Sequence, residues 1–259
     1  MRPSPQARQP SRSLRAALAA AWLGLTGLPA QAQTVSELVW VSEEYAPFNY
    51  TDQGVPTGIS VEVLQHIWTR LGVDKQPSDI QMLPWARGYR MAQEQTGVCL
   101  FSTTVTEPRK ALFHFVSPII ATRIAIVAPR ERQLKIDTIA DLAPYTIGVV
   151  REDIGEQALL NDGSTATLSR ADSARSLVRM LAGGRFDAIS YESNTVRWNM
   201  QESGIDTAAF EDVFTVRESV LGIACHKDTA PDTLAQLQHA LDALHADGTL
   251  KRISAAYLK

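Results

Sequence analysis

Short apolar runs alternate with helix-patterned segments from residue 39 almost to the end of the chain, and this alternation narrows the fold more than any other feature of the sequence. A parallel strand pair needs a long crossover between its members, and a helix in that crossover covers the sheet, so alternation predicts an α/β architecture with mainly parallel sheets. Strands are expected at residues 39–42, 80–83, 98–102, 124–128, 146–150, 167–169, 187–191 and 220–225. Leu64, Ile67, Trp68 and Leu71 recur at the spacing of one helix face, and Gly72 stands where that helix would stop. Further helices are expected at 85–94, 155–160, 173–182 and 194–202, and Leu234, Leu237, Leu241 and Leu244 mark a last one after Pro231-Asp232. No internal repeat or low-complexity linker divides the chain, so length alone leaves one large domain or two small ones open.

The N-terminus carries Arg2, Arg8, Arg12 and Arg15, then an apolar run from Ala16 to Leu28, then Ala30-Gln31-Ala32. That is the layout of a secretory signal, residues 1–32, cleaved after Ala32. The run is too short to span a bilayer, and no cysteine follows it to accept a lipid, so a soluble periplasmic product is expected. Removing residues 1–32 takes away four arginines and no acids, which moves the formal charge from −3 to −7 and argues against nucleic acid as a partner. Charged residues at 20% with ample Val, Ile and Leu exclude a disordered chain. The two cysteines, Cys99 and Cys225, are too far apart for a metal motif and the five histidines are scattered, so neither a metal nor a cofactor is expected.

One loop has chemistry of its own. Ser102-Thr103-Thr104-Val105-Thr106-Glu107-Pro108-Arg109 follows an apolar run, and a strand ending in hydroxyls and one arginine is suited to gripping a carboxylate through the bidentate guanidinium fork. A solvated surface charge is the plainer alternative for Arg109. No Ser/His/Asp arrangement or phosphate loop suggests catalysis.

Arg109 also sits in a longer pattern. Glu44-Tyr45-Ala46-Pro47-Phe48-Asn49-Tyr50, Gly54 to Glu62, Pro84-Trp85-Ala86-Arg87, Thr106-Glu107-Pro108-Arg109, Ile147-Gly148-Val149-Val150, Gly184-Arg185-Phe186-Asp187-Ala188 and Ala246-Asp247-Gly248-Thr249-Leu250 follow one another in an order that resembles the bacterial extracellular solute-binding proteins of family 3, the polar amino-acid-binding group. The resemblance implies a two-lobed type II periplasmic binding fold, each lobe a mainly parallel sheet flanked by helices, with two hinge crossings. Lobe one would comprise residues 33–122 and 219–259, and lobe two residues 123–218. It implies a receptor that closes on a small polar ligand, an amino acid, and delivers it to an inner-membrane ABC-type transporter permease, or reports it to a sensor. It also implies a monomer. A dehydratase-like enzyme on the same scaffold is the alternative from another class.

The resemblance assigns roles residue by residue. Tyr45 and Trp85 would lay aromatic faces over the ligand, with core packing as the plainer role for Trp85. Ser102, Thr104 and Arg109 would hold its α-carboxylate, and Glu192 its ammonium, unless Glu192 is simply a helix cap. The chain departs from the family at Arg151-Glu152-Asp153, where a hydroxyl-rich turn is usual. Asp153 either forms a capping box with Glu156 or faces the cleft and favours a cation. The family fold would set the strands of Cys99 and Cys225 side by side, which allows a disulfide, and two buried free thiols stay open beside it.

Overall fold

The computed structural model describes Met1 and residues 33–258. The expected signal segment, Met1 apart, lies outside the described residues. From Val39 onward ten strands and eight helices alternate: β1 (Val39–Ser42), β2 (Tyr50–Asp52), β3 (Val55–Thr57), α1 (Ile59–Leu71), β4 (Gln81–Met82), α2 (Trp85–Glu94), β5 (Val98–Thr104), α3 (Glu107–Lys110), β6 (His114–Pro129), β7 (Thr146–Val150), α4 (Ile154–Asn161), β8 (Thr167–Ala171), α5 (Ala174–Ala182), β9 (Ala188–Glu192), α6 (Ser193–Glu202), β10 (Phe210–Cys225), α7 (Pro231–Ala246) and α8 (Thr249–Tyr257). The helices at 85–94 and the strand at 146–150 fall where periodicity put them. The β2–β3 hairpin was not foreseen, because its strands are three residues each and largely exposed, and so carry almost no apolar pattern.

Eight strands join in one sheet in the order β4-β1-β5-β10-β6-β9-β7-β8. β1 pairs in parallel with β4 and β5, and β7 in parallel with β8 and β9. Between these parallel groups run β6 and β10, 16 residues each and antiparallel from Phe210 opposite Pro129 to Cys225 opposite His114. Sequence reading placed only residues 124–128 and 220–225 in strands here. The remainder was hidden because the first half of β6 buries only every third position, Val116, Ile119 and Thr122, and carries Pro118, and the first half of β10 is only partly buried. The two partners of this ladder differ along its length: β5 joins β10 at residues 221–225, whereas β9 joins β6 at Ile124–Val127. Three register shifts interrupt the ladder, and such bulges bend and twist the pair, so that its two ends face different neighbours.

Apolar packing follows from this order. All seven residues of β5 are buried, as a strand covered on both faces should be. α1 packs on α7 and α8, with Trp68 edge-on to Trp40 at 5.7 Å between centroids. α2 covers β1 and β5, while α5 and α6 pack on each other and on β9. Gln238 ties α7 to β6 by accepting from the Ser117 N–H and donating to the Ser117 carbonyl, both at 3.0 Å.

The question left open for the cysteines is answered by register. Cys225 lies directly opposite Cys99 across the β5–β10 pair, their Cα atoms are 4.1 Å apart, and the two sulfurs are bonded. The bridge closes a loop whose ends are 126 positions apart, a large constraint on the unfolded chain. Replacing both cysteines by serine is therefore expected to cost on the order of 3 kcal/mol and to lower the thermal midpoint by several degrees. A calorimetric midpoint equal to that of the native protein would contradict this.

Candidate functional site

The site is built where the C-terminal ends of β1, β5, β7 and β9 meet the turns that follow them. On β5, the pairing with β10 passes from Gly222 opposite Thr103 to Ala224 opposite Leu100, so Phe101 and Ser102 together face a single residue. Ser102 takes up the extra length with φ 57°, a left-handed conformation uncommon outside glycine. Its hydroxyl is buried without a partner. Beyond Thr104 the expected loop is a single helical turn, α3, in which the Thr106 hydroxyl accepts from the Arg109 N–H at 3.4 Å.

That turn sends Arg109 inward rather than to solvent, where it is 2% exposed. Its guanidinium carbon stands 4.9 Å from the centre of the Trp85 ring and 5.5 Å from that of Tyr89, so both aromatic faces stabilise the charge. One terminal nitrogen donates to the Thr104 carbonyl at 3.2 Å and the other to Gln157 Oε1 at 3.3 Å. A guanidinium carries five N–H donors, so two such bonds leave capacity unused, and Nε has no partner at all.

The opposing wall is the turn from β7 into α4. Glu152 sits at φ 59°, which aims its carbonyl outward to accept from the Trp85 indole N–H at 3.1 Å and from Gln157 Nε2 at 2.8 Å. Asp153 caps α4, though not as the reciprocal box expected from its spacing to Glu156. Its Oδ1 accepts from the N–H of Ile154 at 2.6 Å, while Glu156 reaches back to the N–H of Glu152 at 2.7 Å and binds Arg170 at 2.5 Å. The left-handed Glu152 displaces the cap by one residue, and Arg170 competes for Glu156. The second oxygen of Asp153 is buried and unpartnered. Gly155 sets α4 against β9, since a β-carbon there would lie 2.2 Å from the Ser190 carbonyl oxygen.

Between these walls lies a cavity of about 500 Å³ lined by residues from both groups of strands, among them Glu43, Glu44, Trp85, Arg151, Asp172 and Tyr191. Of the residues singled out in the sequence, Trp85 is in this wall. Tyr45 lies behind it, its ring 5.9 Å from Tyr191 and 5.2 Å from Phe48. Arg109 and Asp153 stand behind Trp85 and Tyr191. Glu192 is 0% exposed and caps α6, with Oε2 accepting from the Thr195 N–H at 2.7 Å and Oε1 from Asn194 Nδ2 at 3.1 Å. Sequence reading passed over Glu43, Tyr89, Gln157 and Tyr191. Tyr191 was within reach, since successive strand residues face opposite ways and only one of Tyr191 and Glu192 can meet the cavity.

Electrostatically the site is crowded with acids. Burial holds Glu43 well above the ordinary carboxylate range, the Asp153 charge pushes it further, and Arg109 offsets only part. Asp153 is raised by burial and held down by Arg109 and by the Ile154 N–H. Tyr45 and Tyr191 are both pushed well up by burial and then by the surrounding carboxylates, so both keep their protons at neutral pH. Burial also raises Glu192, against the N–H groups of its own helix. Among the described residues no group of three or more His, Cys, Asp or Glu is placed to hold a metal ion.

The profile of the bacterial extracellular solute-binding proteins, family 3, matches residues 38–259. A probable amino-acid-binding protein, YxeM of Bacillus subtilis (strain 168), is 25% identical over 220 residues, covering 82% of this chain and 79% of the relative. Two solved structures share the fold. One is a histidine kinase sensor domain with similarity to periplasmic binding proteins, at TM-score 0.75 and 20% identity over 85% of this chain and 96% of the other. The second is an ancestral arginine-binding protein bound to arginine, at TM-score 0.73 and 21% identity over 86% and 99%.

The raised carboxyl of Glu43 gives a pH dependence of stability. Between the ordinary carboxylate pKa, about 4, and the raised folded value, the folded protein keeps a proton that the unfolded chain has released. Stability therefore falls as pH rises through that window. Glu43→Gln, which cannot ionise, should raise the thermal midpoint relative to the native protein at pH 7 and leave it nearly unchanged at pH 4. Equal differences at the two pH values would show that Glu43 does not carry this effect.

Proposed function

The chain belongs to the bacterial extracellular solute-binding proteins, family 3, and on that premise we propose that it is a periplasmic receptor that captures an amino acid between two lobes and passes it to a membrane transporter. Residues 33–122 with 219–259 form one lobe, residues 123–218 the other, and the chain crosses between them in β6 and β10. The observation that carries this reading is a cavity walled by Glu43 and Trp85 from one part of the chain and by Arg151 and Tyr191 from the other. A ligand touching both walls stabilises the closed arrangement, because only there are both sets of contacts made.

Opening of the lobes parts Trp85 from Glu152 and Arg109 from Gln157, which bares the guanidinium. The ligand carboxylate then takes the place of the Gln157 carbonyl oxygen and uses the donors of Arg109 that the protein leaves free. The carboxylates of Glu43, Glu44 and Asp172 line the cavity against one cation, Arg151, whose nearest acid is Asp172 at 4.0 Å. Together with Asp153 behind them, they favour a ligand with a positively charged side chain, and Trp85 and Tyr191 supply faces for its stem and charge. That choice agrees with the arginine bound by the ancestral protein of the same fold. Glu192, the acid expected for a dehydratase-like reaction, spends both oxygens on α6, which argues against that residue as a general acid.

Two outcomes follow. In a thermal-shift screen of refolded protein against the twenty amino acids, arginine and lysine should raise the midpoint by several degrees, since a ligand at about a hundred times its dissociation constant adds about 2.7 kcal/mol to the folded state. No shift with any amino acid would sink the proposal. With the ligand so found, Arg109→Ala should weaken binding about a hundredfold or more in calorimetric titration, corresponding to about 3 kcal/mol. Unchanged affinity would remove Arg109 from the site.

A further inference from the structure

A second concave surface lies next to the ligand cavity and shares Ser173 with it. This groove, about 620 Å³, runs along α5 and is lined by Arg175, Arg179 and Arg185 together with Ser176, Met180 and Gly183. Arg175 and Arg179 are one helical turn apart on the same face of α5, a spacing at which like charges repel and weaken the helix unless an anion stands between them. Arg185 is brought to the same place by the turn at the end of α5, where Gly184 takes φ 71° and the Arg185 N–H donates to the Met180 carbonyl at 3.0 Å.

Among the described residues none of these three arginines has an acidic partner, and all three line one concave surface. Many other arginines are paired, among them Arg70 with Asp247, Arg123 and Arg197 with Asp212, Arg130 with Glu211, Arg170 with Glu156 and Arg217 with Asp162; Arg87, Arg90 and Arg252 are not, but none of them lines the groove. The acids nearest in sequence are already engaged, Asp172 with Arg151 and Asp187 with Arg132. No acid lines the groove. On a chain of net negative charge, a cluster of exposed, unpaired guanidinium groups is a local reversal of sign.

We infer that this groove is a docking surface for an acidic segment of a partner protein. The forks of three arginines match carboxylates two oxygens at a time, and a strongly negative chain is steered to a positive hollow on a chain of net negative charge. Concavity selects the occupant: a protruding loop fills a groove, whereas a bilayer surface meets it only at the rims. Because Ser173 borders both the groove and the cavity, a partner seated here contacts the same helix end that faces the ligand, and its binding is sensitive to closure. The surface itself does not depend on which ligand the cavity takes.

The test uses a fluorescently labelled decaglutamate peptide and anisotropy at low ionic strength. Saturable binding is expected, weakening steeply with added salt. It should weaken at least tenfold in R175E/R179E and be unchanged in R90E/K251E, which alters charge equally at exposed positions outside the groove. The R175E/R179E protein should retain its ligand-induced thermal shift, which separates loss of the surface from loss of the fold or of the receptor reading. No peptide binding, equal weakening by both double variants, or binding only to phosphatidylglycerol vesicles would each overturn the inference.

Discussion

Everything in the described structure hangs on the ladder between β6 and β10. Each strand is 16 residues long, about three times an ordinary strand, and together they link the two parallel groups of the sheet, β10 pairing with β5 on one side and β6 with β9 on the other. Backbone hydrogen bonds along such a ladder resist shear but not twist, and the three register shifts concentrate twist where the neighbours change. The disulfide between β5 and β10 fastens the far end of one group to the ladder.

Against this pliable connection stands one rigid charge. A guanidinium that is 2% exposed is tolerable only if its lost hydration is replaced, and Arg109 is supplied by Trp85 and Tyr89 on its faces, by the Thr104 carbonyl along its own strand, and by Gln157 and Asp153 from across the cavity. Two of those five compensations, Gln157 and Asp153, come from residues near the start of α4. The proposal that a ligand carboxylate replaces Gln157 thus asks only for an exchange of one oxygen acceptor for a better, charged one. The surplus of acids around the cavity, which Arg109 alone does not neutralise, is the reason for proposing a ligand with a cationic side chain.

Much of this was legible in the sequence, and what was not has physical causes. Strands buried on both faces, such as β5 and β7, announce themselves as continuous apolar runs, and the amphipathic helices as spacing of three and four. The long ladder did not, since half-exposed strands carry mixed patterns that only pairing makes regular. Arg109 was singled out from the chemistry of its own loop and, with Trp85, from the family's order of motifs. Gln157 and Glu43 carry no signal of their own: Gln157 matters because the left-handed Glu152 turns α4 toward Arg109, and Glu43 because β1 ends beside Asp153, and both are facts of tertiary placement. Asp153 caps α4 through one oxygen without the reciprocal box its spacing to Glu156 suggested, and its other oxygen is buried behind the cavity wall.

The central claim of this account is that ligand is held between two bodies that move about the β6–β10 connection. It is tested most directly by the distance between spin labels introduced at Glu94 on α2 and Glu202 on α6, exposed positions on either side of the cavity, measured by pulsed electron resonance with and without the amino acid that binds. The account predicts a broad or longer distribution for the ligand-free protein that contracts to a single shorter distance on saturation. An unchanged distribution in protein shown to be saturated would contradict it.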